Sequence, residues 1–373
     1  MPGWINRSKA SLSVGKSGED RTMNRKTPLV LALSLWTLAA GPVRGQQGPD
    51  QQEGEKLPRE VKITEIPDVI AADAKWQQVW QGTDDAGGIV ATSDGGVLFA
   101  QEQPSTVQKL DKNDKVSVYA EDTHGAGALA LDSKNRLYAV QRTCTDPGRE
   151  KVPCSEGTAI AIIYPQEDRK VITDNFNARP LGRLSDLVID RKGSLYFAVG
   201  PAYYITAGDK SMWKLGKGRP QGEVTSIGEG LRINGIMLSP DEKILYVTNG
   251  STILQFDIQL NGYVNNRRLF TKLQGGVSGD GMAVDALGRL YVAAGPGVQV
   301  FDPLGKYVGT IPTPRNVISV AFSGREKKYL YVVGSGALGP DGQEFTTPPG
   351  VRNNAKTIYK IPMVAEGVKG RAK

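Results

Sequence analysis

The chain has 373 residues, and its 46 Lys and Arg against 39 Asp and Glu give a formal net charge of +7. Seven of the basic and two of the acidic residues lie in segment 1–45, so the rest of the chain has 39 basic and 37 acidic residues and a net charge of +2. No later run of Lys and Arg is interleaved with aromatic residues. This excludes an extended nucleic-acid-binding surface and gives no support for binding to acidic membranes.

Segment 1–45 has the pattern of a leader with a secretory signal peptide. Arg25 and Lys26 precede an apolar run at 29–40, and small residues occupy the −3 and −1 positions of a cleavage site after Gly45. The run is shorter than a spanning helix requires, which disfavours the alternative of an uncleaved membrane anchor. Residues before Met23 show no targeting pattern, so translation is expected to start there. A periplasmic or secreted protein, free of the membrane after cleavage, is predicted.

The two cysteines, Cys144 and Cys154, lie ten residues apart within the insertion at 142–157. In an oxidising compartment two neighbouring cysteines favour a disulfide. Closing so short a loop would stabilise the fold by about 2–3 kcal/mol. The alternative, a reactive thiol, requires a basic surrounding that the sequence does not show.

Six segments of the chain repeat one pattern, and this is the strongest signal in the sequence. Each has a small residue, an apolar run, an Asp/Gly turn and an apolar strand with a shared aromatic residue; the segments are 87–100, 127–140, 185–197, 234–247, 280–292 and 318–333. Each reads as a hairpin followed by further strand-like sequence. Four strands in units of about 45 residues predict an all-β, six-bladed β-propeller with four-stranded antiparallel blades.

The two ends of the repeat region predict how the ring closes. The last unit supplies only three strands, ending at 357–363, and a spare strand at 76–81 precedes the first repeat. Pairing of these N- and C-terminal strands would remove two exposed edges. The predicted organisation is a leader, an extended N-terminal segment, the propeller and a flexible tail, at 1–45, 46–74, 75–363 and 364–373.

Polar residues at the start of the innermost strands are expected to meet at the central channel. Asn234 and Asp280 occupy this position in two repeats. Amide and carboxylate oxygens suit a hard cation such as Ca²⁺ or Mg²⁺. The alternative is structural, because Asn-Gly and Asp-Gly are common turn dipeptides.

Three of the motifs, at 183–190, 234–241 and 280–285, resemble the gluconolactonase/regucalcin (senescence marker protein) family, and 297–312 is similar to its bacterial gluconolactonase branch. The resemblance extends over about 75–363. It implies a six-bladed propeller that hydrolyses sugar and related lactones with one divalent cation.

The resemblance also implies roles for individual residues. Asn234 and Asp280 match two cation ligands, with Ca²⁺ expected first and Zn²⁺, Mn²⁺ or Mg²⁺ as alternatives. The third ligand of the family, a Glu, is replaced by Ala86, and Asp85 beside it is the candidate substitute. Arg183 matches a substrate-binding Arg, and Ser185 stands where the family has an Asn; both are predicted to contact substrate.

The predicted function is an exported lactonase-like hydrolase, monomeric and acting on a sugar lactone or similar small molecule. The cation would polarise the lactone carbonyl, and Asp280 would accept the proton of the attacking water. The alternative is a binding propeller that has lost its metal and its activity. His124, the one histidine, is either a solvated loop residue or a substrate contact at the channel rim. It is also the only support for a third alternative, a quinone-dependent sugar dehydrogenase.

Overall fold

Each repeated segment folds into the two inner strands of a four-stranded antiparallel sheet. The computed structural model describes residues 57–142, 157–182, 184–198, 200–205, 224–260, 262–349, 351–371 and 373. The predicted signal peptide, the pair Cys144 and Cys154, and Arg183 lie outside these residues. Over the described ranges, no helix has the length and apolar character needed to cross a membrane.

The strands follow the repeats in chain order. The first is β1 (Gln77–Gly82). Blade 1 contains β2 (Ile89–Ala91), β3 (Val97–Gln101), β4 (Thr106–Leu110) and β5 (Val116–Ala120). Blade 2 contains β6 (Ala126–Leu131), β7 (Leu137–Gln141), β8 (Ala159–Tyr164) and β9 (Lys170–Thr173). A small hairpin, β10 (Asn175–Phe176) and β11 (Arg179–Pro180), leads to blade 3.

Blade 3 contains β12 (Leu187–Ile189), β13 (Leu195–Ala198), β14 (Gly200–Ile205) and β15 (Val224–Ile233). Blade 4 contains β16 (Ile236–Leu238), β17 (Ile244–Asn249), β18 (Thr252–Ile258) and β19 (Val264–Lys272). Blade 5 contains β20 (Met282–Val284), β21 (Leu290–Ala294), β22 (Gly297–Phe301) and β23 (Tyr307–Pro312). Blade 6 contains β24 (Val317–Ser323), β25 (Tyr329–Ser335) and β26 (Lys356–Pro362). Short 3-10 helices lie at Gln166–Asp168, Gln274–Gly276 and Arg325–Lys327.

The six innermost strands form a closed ring. Strands β2, β6, β12, β16, β20 and β24 each contact the next, and β24 contacts β2. Four of these strands have three residues each, and all of those residues are buried. A strand between two neighbouring blades is covered on both faces, which explains the apolar runs in the repeats. The predicted six-bladed propeller is confirmed.

The ring closes through the predicted pairing of its two ends. Strand β1 is antiparallel to β26, with Gln77 opposite Lys360 and Gly82 opposite Lys356. Trp80 of β1 also packs against Phe99 of blade 1, with ring centroids 4.8 Å apart. The first strand therefore completes blade 6 and joins it to blade 1.

The Asp that recurs in the hairpin turns accepts hydrogen bonds from backbone N–H groups of the same turn. In blade 5 the Asp285 Oδ1 accepts hydrogen bonds from the backbone N–H groups of Leu287 (3.0 Å) and Arg289 (2.9 Å). Its Oδ2 accepts from the Arg289 side chain (2.5 Å) and from the Tyr291 hydroxyl (3.0 Å). Equivalent Asp turns occur at Asp132 and Asp190. These carboxylates therefore have a structural role.

Replacing Asp285 by Ala should destabilise the protein by about 3–5 kcal/mol, because it leaves a buried guanidinium and a buried hydroxyl without their acceptor. Asp302 is the matched control. It accepts the same two backbone hydrogen bonds in the outer turn of the same blade but is less buried. Asp302→Ala should cost about 1 kcal/mol. Chemical denaturation of both variants measures the difference, and equal losses would contradict this account of the turn.

Segments beyond the strands also pack on the ring. Four apolar residues of the N-terminal segment are buried against blades 5 and 6, namely Ile63, Ile66, Val69 and Ile70. The N–H groups of Val364 and Ala365 both donate to the Val69 carbonyl (3.1 Å), and Gly367 pairs with Asp285. The sequence predicts a flexible tail over 364–373, whereas the described residues of this segment are hydrogen-bonded to the ring.

Candidate functional site at the channel mouth

The channel mouth forms where the innermost strands begin. Backbone hydrogen bonds join neighbouring blades there: the Gly88 N–H donates to the Gly127 carbonyl (2.7 Å), and the Gly281 N–H donates to the Ile318 carbonyl (3.0 Å). A Cβ added to Gly88 would lie 2.5 Å from the Ala128 Cα, so this contact requires glycine. Blades in backbone contact bring the residues that precede these strands around one axis.

Asn234 and Asp280, predicted from their places before β16 and β20, lie on neighbouring blades in close contact, because a Cβ added to Gly235 would lie 2.1 Å from the Asp280 carbonyl oxygen. Asn234 is exposed and Asp280 is partly buried. Burial and, to a smaller extent, the charge of Asp186 raise the pKa of Asp280 to about 7, although Arg142, the Gly281 N–H and Asn234 act in the opposite direction. A carboxyl group with this pKa can exchange a proton near neutral pH, as a general base must.

The Asp186 side chain connects blade 3 to blade 4 by a hydrogen bond. Its Oδ2 accepts from the Ile236 N–H (3.1 Å) at the start of β16, and its Oδ1 accepts from the Leu187 N–H (2.9 Å). The same Oδ1 is bonded to the ammonium group of Lys373. The sequence did not single out this carboxylate.

Ser185 lies beside Asp186, and its hydroxyl group faces two backbone carbonyl groups. The Oγ is within 3.2 Å of the carbonyl oxygens of Ala198 and Ile233, and its one proton can be donated to either. The hydroxyl therefore links β13 to the end of β15. Its contact with substrate stays a prediction.

Asp85 lies in the loop between β1 and β2, where it was proposed to replace the missing Glu. Its Oδ1 is 3.7 Å from the Lys356 Nζ, and its backbone N–H donates to the Gln103 side chain (3.3 Å). Ala86 is fully buried and offers no donor atom. Burial lowers the pKa of Lys356, and the charges of Asp85 and, to a smaller extent, Asp280 oppose this lowering.

Arg142 and Glu102 are two site residues that the sequence reasoning missed. The Arg142 Nη1 is 3.4 Å from the Glu102 Oε2, and its Nε and Nη2 donate to the carbonyls of Leu184 and Ser185. The guanidinium lies over the Cα of Gly127, where an added Cβ would be 2.2 Å from Nη1. Glu102 follows β3 and Arg142 follows β7, the second strands of their blades. Both residues lie beyond the end of the repeated segments.

His124 precedes Gly125, whose carbonyl accepts a hydrogen bond from the Arg142 N–H (2.9 Å). It lines a cleft of about 430 Å³ together with Asp122 and Arg169, and neither Asn234 nor Asp280 lines that cleft. His124 adopts a positive φ of 52° in an exposed turn before β6. The prediction that His124 contacts substrate at the channel rim stays a prediction.

The divalent cation implied by the resemblance does not fit the described residues. Within the ranges that the structure describes, no group of three or more His, Cys, Asp or Glu could hold a metal ion. Ala86 provides no ligand, and Asp85 is paired with Lys356. Asn234 and Asp280 alone provide one carboxylate, whereas Ca²⁺ takes six to eight oxygen ligands.

Comparison with known proteins identifies the family. Residues 69–336 match the family described as SMP-30/Gluconolactonase/LRE-like region. The chain belongs to this family. It is 27% identical over 289 residues to a gluconolactonase of Zymomonas mobilis, an alignment that covers 72% of this chain and 78% of the relative. The chain is therefore a gluconolactonase-like propeller, as its motifs predicted.

Solved structures of the SMP-30/gluconolactonase family share the fold. A gluconolactonase of Xanthomonas campestris superimposes with a TM-score of 0.61 at 19% identity, covering 83% of this chain and 98% of that one. Regucalcin of Agrobacterium tumefaciens, a calcium-binding protein, superimposes with a TM-score of 0.56 at 15% identity, covering 78% and 93%. At these identities the likeness establishes the architecture and not the ligands of the channel.

Proposed function

We propose that this chain is an exported hydrolase that opens a sugar lactone or related lactone at the channel mouth. The observation that carries the proposal is the placement of Asn234 and Asp280 before two neighbouring inner strands, where the backbone of Gly235 lies against the Asp280 carbonyl. The 27% identity with a gluconolactonase supports the substrate class. The signal-peptide pattern before residue 46 supports export, and the proposed form is a monomer.

The residues of the mouth suit water attack on an ester carbonyl. Asp280 would accept a proton as water adds to the lactone carbonyl carbon. The ring C–O bond then breaks, and the leaving hydroxyl oxygen takes up a proton, which gives a hydroxy acid. Asn234 orients the Asp280 carboxylate, and the positive charge of Arg142, which acts on Asp280, would also act on the developing oxyanion. No step requires the divalent cation that the family resemblance implies; that cation stays a prediction of the resemblance.

The experiment compares acid release from glucono-1,5-lactone, and from five-membered sugar lactones, with and without the purified chain. A saturable rate above spontaneous hydrolysis, unchanged by EDTA, is the expected result. If no lactone is turned over, the proposed activity is wrong.

A second candidate is a binding propeller without activity. Ala86 in place of the family Glu, and the ion pair of Asp85 with Lys356, favour it. The two candidates differ in one measurement. Calorimetric binding of a lactone with no turnover would identify the binding protein, whereas binding with turnover would identify the hydrolase.

A further inference from the structure

Among the described residues, four carboxylates lie near the starts of the inner strands, and three of them pair with a basic side chain. The pairs are Asp85 with Lys356 (3.7 Å), Glu102 with Arg142 (3.4 Å) and Asp186 with Lys373. The fourth carboxylate is Asp280, whose pKa the neutral amide of Asn234 lowers. Among the described residues, no lysine or arginine lies within ion-pair distance of Asp280.

The three basic side chains are withdrawn from water. Lys356 is 10% exposed, Arg142 11% and Lys373 4%. A buried ammonium or guanidinium group is costly unless a carboxylate and further acceptors surround it. Lys356 satisfies this condition with the carbonyls of Asn354 (3.1 Å) and Ala355 (3.4 Å) in addition to Asp85. These cations are therefore fixed parts of the channel.

Lys373 reaches Asp186 from the opposite face of the ring. Arg371, two residues earlier, donates to the carbonyls of Leu238 (2.8 Å) and Ser239 (2.6 Å), at the far end of the inner strand of blade 4. Asp186, in contrast, lies at the near end of the inner strand of blade 3. Arg371 therefore contacts the far end of an inner strand, while the Lys373 ammonium group supplies the counter-ion of Asp186 at the near end of another.

We infer that this channel is neutralised from within, by Arg142, Lys356 and Lys373, and not by a bound divalent cation. The Asp280 carboxylate and the Asn234 amide then remain as ligands for a metal ion. The positive charge of Lys356, which acts on both Asp85 and Asp280, opposes the binding of that ion. The charge balance of the channel does not depend on the proposed function. It can be measured even if the protein has no lactonase activity.

The test measures the melting temperature of the full chain, first in EDTA and then in 1 mM Ca²⁺ or Mn²⁺. The wild-type melting temperature should not respond to either metal. Lys356→Met should lower it by about 5 °C in EDTA, because Asp85 loses its partner, and added metal should restore about 3 °C or more. Lys369→Met is the matched control, since Lys369 pairs with Glu366 on the surface, 68% exposed. It should behave as the wild type.

Two results would overturn the inference. One is a rise of about 3 °C or more in the wild-type melting temperature with either metal, since a ligand of the folded state raises it by mass action. The other is an unchanged melting temperature in EDTA for both Lys356→Met and Lys373→Met. If Lys356→Met does not fold, Lys373→Met carries the test, with Asp186 as the carboxylate left without its counter-ion.

Discussion

Asp280→Asn should lower kcat for lactone hydrolysis by about 10²–10⁴-fold without loss of stability. The amide has the shape of the carboxyl group and keeps the backbone hydrogen bond from the Asp280 N–H to the Ala293 carbonyl, but it cannot accept the proton of the attacking water. Burial and the charge of Asp186 already disfavour the ionised form of Asp280. Its replacement by a neutral group should therefore leave the melting temperature equal or higher.

The opposite signs of these two effects make the experiment informative. Steady-state kinetics and thermal unfolding are measured on the same preparation, with Asp302→Asn, in an outer turn of the same blade, as the control for both. A loss of activity together with a lower melting temperature would indicate a structural role for Asp280. Full activity in Asp280→Asn would show that another group is the base.

The architecture could be predicted because its signal is local and repeated. Every blade repeats an apolar inner strand and an aromatic second strand, joined in blades 1 to 5 by a turn that contains Asp, and each of these features follows from contacts within a hairpin or with the next blade. The closing strand was recognised because the last repeat has one strand too few. Asn234 and Asp280 were found for the same reason, since they occupy one register of the repeat.

The other residues of the channel could not be predicted in this way. Glu102 and Arg142 follow the second strands of their blades, Lys356 begins a third strand, and Lys373 lies beyond the last strand. Glu102 and Arg142 hold equivalent positions in blades 1 and 2, but they carry opposite charges and lie beyond the repeated segments, so the repeat pattern marks none of these residues. These four residues come close together only when the ring has closed. A search for polar residues at the start of the innermost strands does not include them.

The same limit applies to His124. Its position three residues before the second repeat placed it near the rim by sequence distance alone. In the structure the chain turns at His124 with a positive φ before it enters β6, and the side chain lines the cleft with Arg169. Sequence distance from a repeat therefore fixes the end of the blade at which a loop lies, but not the direction of its side chains.

Gly235→Ala is expected to be among the most destabilising single-methyl changes in the ring, with a fall in melting temperature of about 5–10 °C. An added Cβ would lie 2.1 Å from the Asp280 carbonyl oxygen, which is backbone of the next blade and cannot move aside as a side chain can. The backbone movement needed to relieve this contact would separate Asn234 from Asp280. Activity should therefore fall together with the melting temperature.

Gly157→Ala is the matched control, because nothing lies within 4 Å of its added Cβ. It should leave the melting temperature within about 1 °C of the wild type, since the change meets no atom. Differential scanning fluorimetry of the two variants, with lactone hydrolysis assayed below both transitions, separates packing from chemistry. A tolerated Gly235→Ala would mean that blades 4 and 5 are not in backbone contact. The alignment of Asn234 with Asp280 depends on that contact, because two side chains from different blades keep a fixed distance only where their backbones meet.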